Sequence, residues 1–409
     1  MPCANSSAAG FFVLLFAIGS VSAMLKYIAD TDPTGQVFCE SDESFRSLVR
    51  EHKVDSLEVE THDNYIIKVF RVQNFENTKP IGPDLPKKTV LLIHGVLDSS
   101  DEFVLSDHSV LKILLNRDYD VWLMNTRGNK YSCYNTRIPN TSDEFWDYSF
   151  DNMADGDFRA VINRIYNEKK EKVIVIAHSQ GTTQTFAALS SFPELNDKVE
   201  KFMALGPVAY MTGYDANDLY YFGATHNFLH VLSFMHIRKI LEHKLNSNWM
   251  EDIVIRMFCS TTHFICDFLI SKICDKDPSK IDTKEMETYL QHNPSRSNVK
   301  SLEHFAQLIT NFNGALRKFD YGATENIKRY GTKEPPAYDL SKIGVKVYMY
   351  YGDNDLLTTV KNADMLADIL KASKRNFYPG WGHLSFFLGR DREILFQDLL
   401  KDIDEPLEN

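Results

Sequence analysis

The sequence predicts an α/β fold: a mostly parallel central sheet flanked by helices, with a helical cap inserted before the last strands. Three observations predict it. Short apolar runs alternate with helix-like stretches from Thr89 to Leu205. One run, Val173-Ile174-Val175-Ile176, ends in Ala177-His178-Ser179-Gln180-Gly181 and passes at once into a helix-like stretch, Thr182 to Ser190. After Val208 the strand pattern stops, and it resumes only at Val345.

Ser56 to Arg71 reads as two strands around a turn at His62-Asp63-Asn64, the antiparallel edge of the sheet. Then come a strand at Thr89–His94, a helix near Val104–Leu115, a strand at Tyr119–Met124, a helix near Met153–Glu168, a strand at Val173–Ala177, a further helix, and a strand at Phe202–Leu205. Strands separated by helices pair in parallel through right-handed crossovers. The charge run Glu168-Lys169-Lys170-Glu171-Lys172 is a solvated connection. Thr212 to about Pro336 has helix-like apolar periodicity instead, at Phe228, Val231, Leu232, Met235 and Ile237 through Leu241 and Leu245. A second apolar stretch runs from Ile253 to Ile270. The expected organisation is a targeting segment over 1–23, a first core part over 24–211, a cap over 212–336 and a second core part over 337–409.

A strand turning sharply into a helix with serine at the turn is a nucleophile elbow. The turn lifts the hydroxyl above the sheet edge, and the flanking positions must be small, as Ala177 and Gly181 are. A serine hydroxyl needs a histidine base oriented by a buried carboxylate, in the chain order serine, acid, histidine. The buried-strand run Val345 to Tyr351 ends in Gly352-Asp353-Asn354-Asp355-Leu356-Leu357, a turn with two aspartates. A short strand, Asn376-Phe377-Tyr378, leads to Pro379-Gly380-Trp381-Gly382-His383-Leu384, ahead of a last helix over Asp391 to Leu400. His383 is therefore the candidate base. Spacing alone leaves Asp353 and Asp355 open as the acid, and Asp353 can serve to tighten the turn. The strand Val90-Leu91-Leu92-Ile93 is followed by His94-Gly95-Val96-Leu97. Backbone N–H groups of Val96 and Gln180 are the candidate oxyanion hole. His94 is expected to shape that loop, and His178 to point away from the substrate. The competing reading of Ser179 is an ordinary turn serine.

With these residues located, the chain resembles the acid lipases, the group of gastric and lysosomal lipases with many insect relatives, from about Leu57 to about Phe396. Tyr119-Asp120-Val121-Trp122-Leu123-Met124-Asn125-Thr126-Arg127-Gly128-Asn129 resembles the family's YDVWLGNSRGN segment, and Phe145-Trp146-Asp147-Tyr148-Ser149-Phe150-Asp151 its FWDFSFDEM. His178 to Thr183 matches HSQGTT, Ala204 to Ala209 is close to ALAPVA, and Gln291-His292-Asn293-Pro294 resembles SHNPAG. Asn354-Asp355-Leu356-Leu357 matches NDLL, and the resemblance puts the catalytic aspartate on Asp355. Ala177, Met124 and Ser385 depart from it: they stand where the family has Gly, Gly and, in HLDF, Asp.

The resemblance implies a serine ester hydrolase acting on triacylglycerols or cholesteryl esters at a lipid–water interface. The triad residues themselves imply only an ester, thioester or amide. Two rivals stand: a lipid-binding or storage protein on a retired hydrolase scaffold, and a short-chain carboxylesterase. The intact set Ser179, Asp355 and His383 argues against the first, the long apolar cap against the second. No metal or organic cofactor is called for.

The chain has 409 residues, 44% of them hydrophobic, enough for one enlarged domain with an insertion. Its net charge of −11 argues against a nucleic-acid partner. No P-loop, Gly-x-Gly-x-x-Gly or His-Glu-x-x-His string occurs. Phe11 to Ile18 is an apolar run followed by Val21-Ser22-Ala23, the pattern of a cleaved signal peptide. The run is short for the ~20 residues of a membrane span. Secretion or lysosomal delivery is expected, and no stable transmembrane anchor. The sequence specifies no oligomeric state. Cleavage after residue 23 leaves five of six cysteines. Cys259, Cys266 and Cys274 are clustered, and a disulfide among them suits an oxidising compartment; the family's bridge in this region has a different spacing, so the pair stays open. Cys39 and Cys133 show no obvious partner. Asn140-Thr141-Ser142 is a sequon in a polar loop, so a glycan on Asn140 is expected of a secreted chain.

Overall fold

The computed structural model describes residues 37–75, 87–212, 226–227, 229–233, 238–240, 275–312 and 315–406. The expected signal segment, much of the expected cap, and Cys259, Cys266 and Cys274 lie outside the described residues.

Among the described residues nine strands form one sheet: β1 (Lys53–Glu60), β2 (Tyr65–Gln73), β3 (Thr89–Ile93), β4 (Asp120–Met124), β5 (Tyr134–Asn135), β6 (Val173–His178), β7 (Val199–Leu205), and two later strands, Lys346–Gly352 and Lys374–Tyr378. A separate two-stranded ribbon pairs β8 (Lys239–Ile240) with β9 (Ser297–Asn298). The later strands are thus β10 and β11, and the sheet order is β1-β2-β4-β3-β6-β7-β10-β11, with β5 on β2. The hairpin β1–β2 and its junction with β4 are antiparallel, and every pair from β4 to β11 is parallel. This is the mixed α/β architecture that the sequence predicts.

The strands read as continuous apolar runs because both faces of the sheet are covered. Successive residues of a strand point to opposite faces. Leu91, Ile93, Val175, Ala177, Ala204 and Met349 belong to one buried cluster, and Val90, Leu92, Ile174, Ile176, Met203 and Tyr350 to the other. The helices include α1 (Asp42–Leu48), α2 (Val110–Asn116), α3 (Arg159–Lys169), α4 (Gln180–Ser191), α5 (Thr283–His292), α6 (Val299–Asn311), α7 (Val360–Leu370) and α8 (Glu393–Asp404). Val161, Ile165, Phe186 and Leu366 of α3, α4 and α7 close the first face. Leu111, Leu114, Leu395 and Leu399 of α2 and α8 close the second.

Two helices differ from expectation. The stretch Val104–Leu115 is helical only over Val110–Asn116, preceded by a 3-10 turn at Ser100–Phe103. Ser109 caps the helix by accepting Lys112 N–H, which starts it late. Met153–Phe158 is a π-helical turn ahead of α3.

Cys39 and Cys133, expected to lack partners, are joined in a disulfide that ties the described N-terminal end to the sheet edge beside β5. Asn140 lies within the same joint: its Nδ2 donates to Val37 O at 2.8 Å and Cys133 O at 3.0 Å. A glycan there would take one of the two amide hydrogens those carbonyls use.

Candidate active site

The strand order reverses direction between β3 and β6, since β4 follows β3 on one side and β6 lies on the other. Ligand sites of open parallel sheets form at such switch points, beyond the strand C-terminal ends. Ser179 follows β6, the His94–Leu97 loop follows β3, Asp355 follows β10 and His383 follows β11. All four sequence candidates therefore emerge on one rim.

Ser179 has φ 51° and ψ −120°, a left-handed conformation that costs a non-glycine residue of order 1–3 kcal/mol. It is held there by Ser179 N–H donating to Leu205 O at 3.1 Å and by Thr182 N–H donating to Ser179 O at 2.8 Å. Gly181 has to be glycine: a Cβ would lie 2.5 Å from Ile93 O and 2.8 Å from His94 O, both backbone. Ala177, the departure from the elbow pattern, is fully buried in β6 beside Ile93 and Ala204, so its methyl joins the core. Met124, at the end of β4, does the same.

Asp355 is fully buried, and its two oxygens are divided between tasks. Oδ1 accepts Leu357 N–H at 2.7 Å and Thr358 N–H at 2.8 Å. Oδ2 lies 2.8 Å from His383 Nδ1. A carboxylate only accepts, so Nδ1 carries the hydrogen and Nε2 is left as the basic nitrogen. That Nε2 is buried and has no hydrogen-bond partner among the described residues. Burial lowers the histidine's pKa, but the charges of Asp355 and Asp275 and the Asp355 hydrogen bond outweigh it, and the net shift is upward. The Asp353 carboxylate is exposed instead and accepts Gly380 N–H at 2.6 Å, tightening the histidine loop from outside.

Two more histidines brace the site without competing for the proton. His94 is buried, with Nδ1 2.7 Å from Gly95 O and Nε2 3.1 Å from Thr126 N, so Nδ1 donates and Nε2 accepts. Burial lowers its pKa to about 4. It thereby fixes the loop carrying Val96. Among the described residues neither Val96 N–H nor Gln180 N–H has a hydrogen-bond partner. His178 Nε2 lies 3.1 Å from His383 O, and its Nδ1 3.2 Å from Glu102 Oε2. A carbonyl can only accept, so Nε2–H donates to it, and neutral Nδ1 needs a donor. Glu102 supplies that donor as the protonated acid, because burial raises its pKa to about 8. Burial, then the neighbouring His383, lowers the pKa of His178 to about 3. The chain Glu102–His178–His383 O anchors the backbone of His383.

Sequence reasoning missed Glu102 and Asp275. Glu102 sits in the 3-10 turn Ser100–Phe103, between the His94–Leu97 loop and the helix expected near Val104, where no motif marks it. Asp275 is fully buried against the histidine loop, and Ser385, where the resemblance expects aspartate, was the only signal near it. Among the described residues no group of three or more His, Cys, Asp or Glu side chains is arranged to hold a metal.

Rim, elbow and sheet order define the α/β-hydrolase class. A family model described as "alpha/beta hydrolase fold" matches residues 88–229, and one described as "partial alpha/beta-hydrolase lipase region" matches residues 49–107. A soluble variant of monoglyceride lipase from Saccharomyces cerevisiae shares the fold, with a TM-score of 0.51 at 14% identity over 86% of this chain and 96% of that one. Among relatives, gastric triacylglycerol lipase of Rattus norvegicus is 34% identical over 82% of this chain and 84% of its own length. Lipase member K of Mus musculus is 30% identical over 86% and 88%. Human lysosomal acid lipase/cholesteryl ester hydrolase is 29% identical over 81% and 83%. The chain belongs to the acid-lipase family of α/β hydrolases.

Proposed function

We propose that this chain is a secreted or lysosomal serine lipase that hydrolyses carboxylic esters of neutral lipids, triacylglycerols first and cholesteryl esters second. The observation that carries the reading is the 2.8 Å contact of Asp355 Oδ2 with His383 Nδ1, which leaves a buried, unpartnered Nε2 as the base. Ser179 Oγ attacks the ester carbonyl as its proton passes to His383 Nε2. Asp355 keeps the ring in that tautomer and stabilises the imidazolium. Val96 and Gln180 N–H groups receive the negative oxygen, each worth on the order of 10²–10³ in turnover. The imidazolium returns its proton to the departing alcohol, and water deprotonated by the same Nε2 then frees the fatty acid and Ser179.

Family membership and the relatives named for triacylglycerol and cholesteryl ester hydrolysis support the substrate class. Ser179 is buried, so admitting a long acyl chain requires a covering element to move; the 212–336 insertion is the segment assigned to that role. The N-terminal apolar run supports entry into the secretory route. No helix among the described residues is long and apolar enough to cross a membrane. The test is an acyl-chain series from acetyl to oleoyl glycerides, plus cholesteryl oleate, on the purified mature chain. Turnover on long-chain glycerides that disappears in Ser179→Ala supports the proposal. Activity confined to acetyl esters makes it a carboxylesterase, and folded protein inert on all of them makes it a binding protein.

A further inference from the structure

Asp275 is a carboxylate in an unusual place. It is fully buried, and no lysine or arginine pairs with it among the described residues. Its backbone forms an antiparallel bridge with Asp355. Next to it, Lys276 N–H donates to Asn354 O at 2.9 Å and Asp277 N–H to Asn354 Oδ1 at 2.8 Å, so this segment is strapped to the turn that carries the triad acid. Its side chain reaches the other triad loop. Oδ1 accepts Leu384 N–H at 3.1 Å, and Oδ2 lies 3.4 Å from Ser385 Oγ. Ser385 Oγ in turn accepts Gly382 N–H at 2.9 Å. A Cβ on Gly382 would lie 2.1 Å from the Asp275 carboxyl carbon, so the loop is glycine there because the carboxyl fills the space.

We propose that Asp275 is a positioning residue for His383: its buried carboxylate holds the Gly382–Ser385 turn from behind and gives the imidazole a second negative neighbour beside Asp355. The inference rests on the triad reading above. The charged and titratable groups facing His383 are Asp355 from the β10 turn, Asp275, and His178 from β6, with Glu102 behind His178. The histidine must lose its proton to act as base. Asp275 favours the protonated ring and therefore places the acidic limb of the rate profile at higher pH than Asp355 alone would. Asp275 itself is held up to about 6 by burial and by Asp355, against the opposing pull of the Leu384 N–H bond and His383. Its charge consequently develops as pH rises through about 6.

The experiment measures the rate of fluorophosphonate labelling of the purified mature chain, with kcat/KM on a soluble butyrate ester, from pH 3.5 to 9. The variants are Asp275→Asn and, as control, Asp277→Asn, whose exposed carboxylate serves Ser279 N–H. Asp275→Asn keeps an oxygen for Leu384 N–H and removes the charge. It should move the acidic limb about 0.5–1 pH unit downward while the plateau stays within about tenfold, since removal of one near charge is worth a shift of that order. Asp277→Asn should superimpose on the parent. An unmoved limb in folded Asp275→Asn, with or without a lower plateau, overturns the inference and leaves the triad reading standing. If Asp275→Asn does not fold, Asp275→Ser, small and uncharged, is read in the same way. Failure of the parent itself to label at Ser179 would instead remove the triad reading, and the inference with it.

Discussion

Replacing Asp355 by asparagine sets two demands on one side chain against each other. The carboxylate serves Leu357 N–H and Thr358 N–H through Oδ1 and His383 Nδ1 through Oδ2. An amide has a single oxygen. If that oxygen stays with the two backbone donors, the NH2 group faces Nδ1, and the ring accommodates it by carrying its proton on Nε2. Nε2 then cannot accept the serine proton. If the oxygen turns to His383 instead, the NH2 meets two N–H donors, and two buried hydrogen bonds are lost at about 1–3 kcal/mol each. The first arrangement is the cheaper, so the unproductive tautomer dominates. The expected loss is on the order of 10⁴ in kcat, or roughly 5.4 kcal/mol of barrier, with the fold retained. The assay is kcat on a p-nitrophenyl butyrate substrate near neutral pH, with a thermal melt on the same sample. Asp353→Asn is the internal control; its exposed side chain bonds only the histidine loop, and its kcat should stay within about threefold. Folded Asp355→Asn retaining kcat within about tenfold of the parent would refute the tautomer argument.

Two further outcomes follow from buried groups away from the nucleophile. The Cys39–Cys133 bridge closes a loop with a sequence separation of 94. Cys39→Ser/Cys133→Ser should therefore lower unfolding free energy by about 2–5 kcal/mol in urea titration, and an unchanged midpoint would show that the bridge does not form. The second concerns Glu102, which keeps its proton to about pH 8 in the fold, whereas its ordinary value is 4.5. Between those values the unfolded chain binds fewer protons, so this group's contribution to stability is present below about 4.5 and is lost as pH rises toward 8. Glu102→Gln has no proton to lose and still presents a donor to His178. It should gain on the parent progressively as pH rises from 5 to 8. A stability difference constant across that range would contradict protonated Glu102.

What was legible in the sequence was whatever local chemistry announces. Strands such as Val173 to Ala177 declared themselves because both their faces are buried, and the elbow because only small residues fit around Ser179. The family motif pointed to Asp355 over Asp353, and the geometry turns Asp355 inward and Asp353 outward. The helix near Val104 was misjudged because its apolar residues pack from a 3-10 turn and a late-capped helix alike. Within the π turn at Met153–Phe158, Gly156 answers to a distant residue: a Cβ there would lie 2.1 Å from Arg127 Nη2, on the guanidinium that bonds Asp157 and Asp63. Cys39–Cys133 and Asp275 share that character. Each derives its meaning from a partner about a hundred residues away, brought near by sheet topology, which no spacing rule records.

The central claim is that Ser179 is a nucleophile activated by His383. The most direct measurement is fluorophosphonate labelling of the purified mature chain, followed by peptide mass spectrometry to locate the adduct, beside His383→Ala. The account predicts stoichiometric modification of Ser179 in the parent and a labelling rate lower by several orders of magnitude in His383→Ala. An adduct on another residue, or equal labelling in the two proteins, would contradict it.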